Sequence, residues 1–167
     1  SDLSSKLDEV GVKYAYIEDV LTEDLFEVDQ ASTPYVGRFL VLWKLLRSFD
    51  DAELCVITDV RDVIFQSDPF EWLQKNLGDK RVVVSSEQGL YAEEPWGRQN
   101  IEETFDKAFA HFLMNNEIFN VGVVAGVVSG VRDLCGLIYQ LSLNRNIPIT
   151  DQSTFNYIAS LDIFSQS

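Results

Sequence analysis

The sequence lacks the features that cross-link a chain by disulfides or anchor it in a membrane. Two cysteines, Cys55 and Cys135, are too few for a disulfide framework and lie in apolar patterns, so both are interpreted as reduced core thiols. There is no run of about 18 apolar residues, no basic and apolar signal peptide at the N-terminus, and no Asn-x-Ser/Thr acceptor for glycosylation. The sequence therefore predicts a soluble, cytoplasmic protein without a transmembrane segment.

Basic residues are scarce as well. The chain carries 13 Lys and Arg against 27 Asp and Glu, a formal net charge of −14. Such a field repels polyanions, which argues against nucleic acid or an anionic membrane as partner. A phosphate-bearing ligand would need local positive charge.

Repeats, low-complexity stretches and linkers rich in Pro, Gly or Ser are also missing, so no domain boundary is visible in residues 1–167. With 46% apolar residues, a chain of this length builds one domain that buries roughly 70% of the surface exposed when unfolded. A single domain is expected.

The elements that are present alternate between strand and helix patterns. ELCVITDV at 53–60 is a continuous apolar run, which is typical of a central parallel strand covered on both faces. In the helix that follows, Asp68 fits the N-cap, Pro69 the first position and Gly78 the C-terminal stop. The pattern predicts an α/β domain with a mostly parallel central sheet flanked by helices. The remaining predicted elements are a helix end at 3–9, strands at 13–20, 81–87 and 118–126, and helices at 37–49, 101–114, 130–144 and 151–160.

Polar residues follow the predicted strands, at the edge where open α/β sheets bind ligands. Two carboxylates three positions apart, Asp59 and Asp62, can hold a hard divalent cation such as Mg²⁺ or Mn²⁺. Arg61 and Arg38 could contact phosphate. The residues alone leave an alternative open, in which the two aspartates cap a turn and Arg61 forms a salt bridge. The other polar residues at strand ends or helix starts are Glu87, Asn120, Gly122 and Asp151.

Four motifs occur in an order that resembles the GT-A-fold glycosyltransferases, which transfer sugars from nucleotide diphosphates. They are YVGRF at 35–39, TDVRDVIFQSDPF at 58–70, IFNVGVVAG at 118–126 and DQSTFNY at 151–157. The resemblance covers most of residues 13–160 and implies a single GT-A-like, Rossmann-like domain. It also implies that the chain lacks the family's first strand and the C-terminal end of its domain.

The resemblance carries a role to each matching residue. Asp62 fits the second aspartate of the family's metal loop, whereas Asp59 lies one residue further back than the usual Asp-x-Asp spacing and would bind the metal or the ribose. Asp151 is the candidate catalytic residue, either as the base that takes the acceptor proton or as a group that orients the donor and stabilises charge. The residues implied to bind the donor are Arg38, Asp59, Arg61, Asn120, Gly122 and Gln152.

The implied function is transfer of a sugar, with a UDP-sugar favoured as donor, to a glycan or other hydroxyl acceptor, dependent on Mn²⁺ or Mg²⁺. Two alternatives stay open: a degenerate nucleotide-sugar-fold domain that binds without catalysis, and an aspartate-dependent phosphotransferase using Asp59. Glu87, Tyr91 and Trp96 could form an acceptor-binding rim, because sugars stack on aromatic faces and hydrogen-bond to carboxylates. They could equally belong to a solvated acidic loop.

Overall fold

The computed structural model describes Ser5 and Glu9, both helical, and residues 33–61, 63–145 and 147–161. The predicted strand at 13–20 and Asp62 lie outside the described residues. Elements are numbered along the described chain. They are α1 (Pro34–Leu45, continued by a 3₁₀ turn at Leu46–Ser48), β1 (Leu54–Thr58), α2 (Pro69–Asn76), β2 (Val82–Leu90), α3 (Pro95–Thr104), α4 (Lys107–Leu113), β3 (Glu117–Val127), α5 (Val128–Ser142) and α6 (Asp151–Ala159).

The described strands form one three-stranded sheet in the order β1-β3-β2, and both neighbours run antiparallel to β3. Leu54 lies opposite Val127 and Thr58 opposite Val123, while Val82 lies opposite Gly126. The predicted mostly parallel central sheet is therefore wrong, and so is the GT-A-like, Rossmann-like fold that the resemblance implies. Since β1 and β2 both oppose β3, they run in the same direction, but β3 separates them, so these two strands form no parallel ladder with each other.

Burial on both faces explains why the apolar pattern was misleading. Cys55 and Ile57 of β1 pack into a core formed by α1, α5 and α6, whereas Leu54 and Val56 pack against α2 on the opposite face. A strand covered on both faces is apolar at every position, whatever the direction of its neighbours. The run 53–60 thus indicated the cover on both faces of Leu54–Thr58 and carried no information about strand direction, and Val60 beyond the strand is 95% exposed.

The larger core lies between the sheet and three helices. Val131 and Ile138 of α5, with Phe155 of α6, have no exposed surface. Burying side chains of this size stabilises the fold by about 2 to 3 kcal/mol each. Both cysteines are free thiols in this region, and burial raises the pKa of Cys55 to about 11 and that of Cys135 to about 12.

Local signals in the sequence predicted both ends of α2. The Asp68 side chain accepts a hydrogen bond from the Phe70 amide at 2.8 Å, and Gly78 has the left-handed φ of 60° that stops the segment. The single helix predicted at 101–114 is wrong, because α3 ends at Thr104 and a separate helix, α4, begins at Lys107. Asp106 there caps a second helix by accepting from the Phe109 amide at 2.7 Å.

None of the helices in the described part of the chain is long and apolar enough to cross a membrane.

Gly126 provides a test of the close approach between β3 and its neighbour. A Cβ at this position would lie 2.2 Å from the Arg81 carbonyl oxygen and 2.9 Å from Val82 Cα, both in backbone that cannot turn aside. We expect Gly126→Ala to lower the free energy of unfolding by about 3 kcal/mol, the upper end of the cost of overpacking. The midpoint of urea denaturation measures this change.

Gly89→Ala is the matched control, because a Cβ there meets nothing within 4 Å. Its free energy of unfolding should stay within about 0.5 kcal/mol of the unaltered chain. Equal midpoints for the two variants would contradict the described packing of β3.

Candidate functional site

The end of β1 lies beside the middle of β3. Thr58, the last residue of β1, lies opposite Val123, whereas Leu90, the last residue of β2, lies opposite Glu117 at the start of β3. The Asp59 amide, directly after β1, donates to the Gly122 carbonyl at 2.8 Å. Polar residues that follow β1 and occupy β3 therefore converge, although the sheet is not parallel.

The Arg38 side chain joins two aspartates at this edge. Its Nη1 lies 2.6 Å from Asp59 Oδ1 and its Nη2 lies 2.9 Å from Asp151 Oδ2. The three residues come from α1, the end of β1 and the start of α6, and the sequence separations are 21 and 113 residues. The structure thus brings together three of the predicted site residues.

Asp151 is held in place from two sides. The turn before it is bound by the Thr33 hydroxyl, which donates to the Pro148 carbonyl at 2.6 Å, and by the Asn100 amide, which donates to the Ile149 carbonyl at 2.6 Å. Thr33 precedes α1, which carries Arg38, so one contact aligns both partners. The start of α6 is consequently fixed before any ligand binds.

Burial sets the electrostatics of Asp151. Its side chain is only 3% exposed, and Oδ1 has no hydrogen-bond partner of good geometry. Burial raises the pKa of the Asp151 carboxyl above its ordinary value, and the Arg38 guanidinium opposes this rise. The ionised form of Asp151 therefore depends on Arg38.

Gly122 leaves room for two side chains on the backbone of β3. A Cβ there would lie 2.5 Å from Asp59 Oδ2 and 2.8 Å from Asn120 Oδ1. Asn120 Oδ1 also accepts from the Gly122 amide at 2.7 Å. The missing side chain thus lets a carboxylate oxygen and an amide oxygen approach the same point.

The Gln152 side chain bonds to the backbone of β3. Its Oε1 accepts from the Val121 amide at 3.1 Å and its Nε2 donates to the Phe119 carbonyl at 2.8 Å. Asn156, one turn later, makes a second pair of bonds to the backbone of Phe119, at 2.7 Å and 2.8 Å. The side-chain amides of Gln152 and Asn156 thus connect α6 to β3 at the place where the β2–β3 register is shifted. The donor-binding role of Gln152 stays a prediction.

Two predicted residues are not part of this cluster as described. Arg61 is exposed and makes no hydrogen bond or ion pair with any described residue, so the alternative salt bridge is not observed there either. Asp62 lies outside the described residues. Within the described ranges, no three His, Cys, Asp or Glu side chains are grouped as a metal site.

Sequence reasoning left one residue of this edge without a firm role. Glu87 Oε1 accepts a hydrogen bond from Asn120 Nδ2 at 3.0 Å, which connects β2 to the site. The signal was its position after an apolar strand. Asn100 and Asn156 were missed altogether, because an asparagine inside a helix gives no signal of the backbone it will bind.

A cavity of about 280 Å³ adjoins the Arg38–Asp59 pair. Its walls are largely apolar, with Phe39 and Leu42 from α1 and Ile57 from β1. An apolar cavity with a few convergent polar groups is the usual form of a small-molecule site. This volume suits a ring system rather than an entire nucleotide sugar.

Comparison of the chain with protein-family models, with curated proteins and with solved structures gives no match. The family resemblance therefore depends on the sequence motifs alone.

The dependence of Asp151 on Arg38 can be tested through pH. In Arg38→Met the buried carboxylate loses its cation, which should cost about 3 kcal/mol at about pH 7, the lower end for breaking a buried pair. The folded-state pKa of Asp151 then lies still further above its unfolded value. At pH values between the unfolded-state and the folded-state pKa of Asp151, the folded chain binds more protons than the unfolded chain. The stability of the variant therefore falls as pH rises and recovers as pH falls.

Thermal unfolding at about pH 7 and about pH 5 measures this effect relative to the unaltered chain. Adding Asp151→Asn to Arg38→Met should restore part of the stability at the higher pH, since the amide carries no charge. A deficit of the single variant that is equal at both pH values would show that Arg38 does not support the charge of Asp151.

Proposed function

We propose that the chain is a glycosyltransferase that moves a sugar from a nucleotide diphosphate to a hydroxyl acceptor with the help of a divalent cation. The observation that carries this proposal is the Arg38 guanidinium bonded to both Asp59 and Asp151 beside a ring-sized cavity. The four sequence motifs support it, because Arg38, Asp59, Asn120 and Asp151 come from different motifs and meet at one edge. A UDP-sugar is the favoured donor.

The charge of the site favours metal dependence. One guanidinium faces two carboxylates, Asp59 and Asp151, which leaves a net negative charge when both are ionised. An anionic diphosphate would be repelled by this charge and by the net charge of −14 of the whole chain. A divalent cation reverses the sign locally and makes donor binding favourable.

The described donor atoms fit such a cation. No donor among the described residues bonds to Asp59 Oδ2, which lies over Gly122, 2.5 Å from where a Cβ would stand. Mg²⁺ commonly takes one or two protein carboxylates and completes its shell with water and substrate phosphates. Asp59 and Asp62 would hold the ion. When bound, it would stabilise the charge that develops on the leaving diphosphate.

Arg38 and Asp151 have complementary tasks in this proposal. Arg38 fixes the Asp59 carboxylate through Nη1, so that Oδ2 keeps one direction. Asp151, buried and bonded to Nη2, holds the guanidinium and supplies negative charge close to the reacting sugar. Of the two roles expected for Asp151, its burial favours orientation and charge stabilisation over proton exchange with an incoming acceptor.

Donor binding is the direct test. A ligand that binds only the folded chain at about 100 times its Kd adds about 2.7 kcal/mol of stability. For a domain of this size that corresponds to a rise in Tm of roughly 5 to 10 °C. We expect this rise with one nucleotide sugar from a panel of UDP- and GDP-sugars, in the presence of Mn²⁺ and not with EDTA.

Asp59→Asn and Asp62→Ala should lose the Mn²⁺-dependent rise. Asp133→Asn is the matched control, because Asp133 is 46% exposed and bonded to Arg81, much as Asp59 is 43% exposed and bonded to Arg38. If all three variants keep the rise, the metal ligands are wrongly assigned. If no nucleotide sugar stabilises the unaltered chain, the proposed function is wrong.

A further inference from the structure

Glu87 lies in an irregular part of β2. The ladder between β2 and β3 shifts between Ser86 and Leu90, which leaves residues 87–89 without partners on β3. Gln88 has a φ of 58°, an uncommon backbone conformation for a residue with a side chain, and its amide donates to the Ser86 hydroxyl at 2.9 Å. Bulges of this kind change the direction of a side chain beside a functional site.

The redirected Glu87 side chain reaches the site through Asn120. Asn120 donates to Glu87 Oε1 at 3.0 Å, and its own Oδ1 accepts from the Gly122 amide at 2.7 Å. Both ends of the Asn120 amide are therefore used, and its orientation is fixed. Asn120 thus connects Glu87 to the point where Asp59 Oδ2 approaches Gly122.

The three carboxylates at this edge differ in what they can still bind. Asp151 is buried and bonded to Arg38, and Asp59 gives one oxygen to the same guanidinium. Glu87 is exposed, and no described residue donates to its Oε2. Of these three carboxylates, Glu87 is the one that forms no ion pair with a described residue.

The surroundings of Glu87 limit the charge of that substrate. The segment 82–97 contains Glu87, Glu93 and Glu94 and no Lys or Arg. Negative charge on Glu87 and Glu94 adds to burial in raising the pKa of Tyr91, so these two glutamates share one local field. A carboxylate in this field accepts hydrogen bonds from neutral hydroxyl groups and repels anions.

We propose that Glu87, held by Asn120, binds the acceptor hydroxyl and selects a neutral acceptor such as an uncharged glycan over an anionic one. This inference rests on the proposed glycosyltransferase function. It assigns the second substrate to β2, opposite the Arg38 and Asp59 side of the site. Glu87 thereby determines specificity, while Arg38 and Asp59 serve the donor.

The test compares Glu87→Gln with Glu117→Gln. Glutamine can still accept from Asn120, so the fold should be kept, but the charge that attracts the acceptor hydroxyl is lost. Glu117 is a suitable control because it is also an exposed glutamate at the start of β3, where it accepts from the Ser86 hydroxyl. Thermal unfolding of each variant establishes that it is folded.

The measured quantity is the ratio of sugar transfer to donor hydrolysis by water, with the donor that stabilises the chain and a panel of neutral glycosides and the matching uronic acid glycosides. For neutral acceptors, we expect Glu87→Gln to lower this ratio by about 10- to 100-fold, the usual effect of losing a hydrogen bond to a charged group. The preference for neutral over anionic acceptors should narrow in the same variant. Glu117→Gln should match the unaltered chain.

The measurements distinguish the role of Glu87 from the proposed glycosyltransferase function. If the unaltered chain turns over a donor and folded Glu87→Gln keeps both the ratio and the preference, Glu87 does not bind the acceptor and only this inference is overturned. If the unaltered chain neither transfers sugar nor hydrolyses any donor, the proposed function falls, and the assignment of Glu87 falls with it.

Discussion

A single guanidinium organises the candidate site. Arg38 bonds to Asp59 at 2.6 Å and to Asp151 at 2.9 Å, and so connects α1, the end of β1 and the start of α6. Because Asp151 is buried, its ionised form would cost free energy of folding if Arg38 were absent. The position of Asp59, the direction of its free oxygen and the charge of the whole edge all follow from the same pair of bonds.

The environment of each carboxylate defines what it can do. Asp151 is buried, Asp59 bonds to Arg38 through one oxygen and lies over Gly122 with the other, and Glu87 is exposed and accepts a hydrogen bond from Asn120. Sites that bind two substrates need such differences, because identical carboxylates would compete for the same cation and the same protons. The proposed separation of a donor side from an acceptor side is based on these differences in burial and hydrogen bonding.

The sequence was informative where structure depends on neighbours along the chain. Asp68 and Gly78 bounded their helix correctly, because caps and stops are local. Strand direction was not predictable, since an apolar run such as 53–60 records burial on two faces and nothing about its partners. The Arg38–Asp151 bond spans 113 residues, and the bulge at 87–89 depends on register with β3. The motif resemblance placed Arg38 and Asp151 in one site without predicting a bond between them, and it gave no indication of the bulge.

The most direct test of the central claim is to locate a bound cation. Manganese is paramagnetic, so Mn²⁺ added with UDP to isotope-labelled protein broadens the amide resonances nearest the ion. If the edge at Asp59 binds a metal and a diphosphate together, the amides of Asp59 and Gly122 lose intensity first and only when UDP is present, while Asp133 is spared. Broadening that centres on Asp133, or that leaves Asp59 and Gly122 unchanged, would contradict a metal-dependent nucleotide site at this edge.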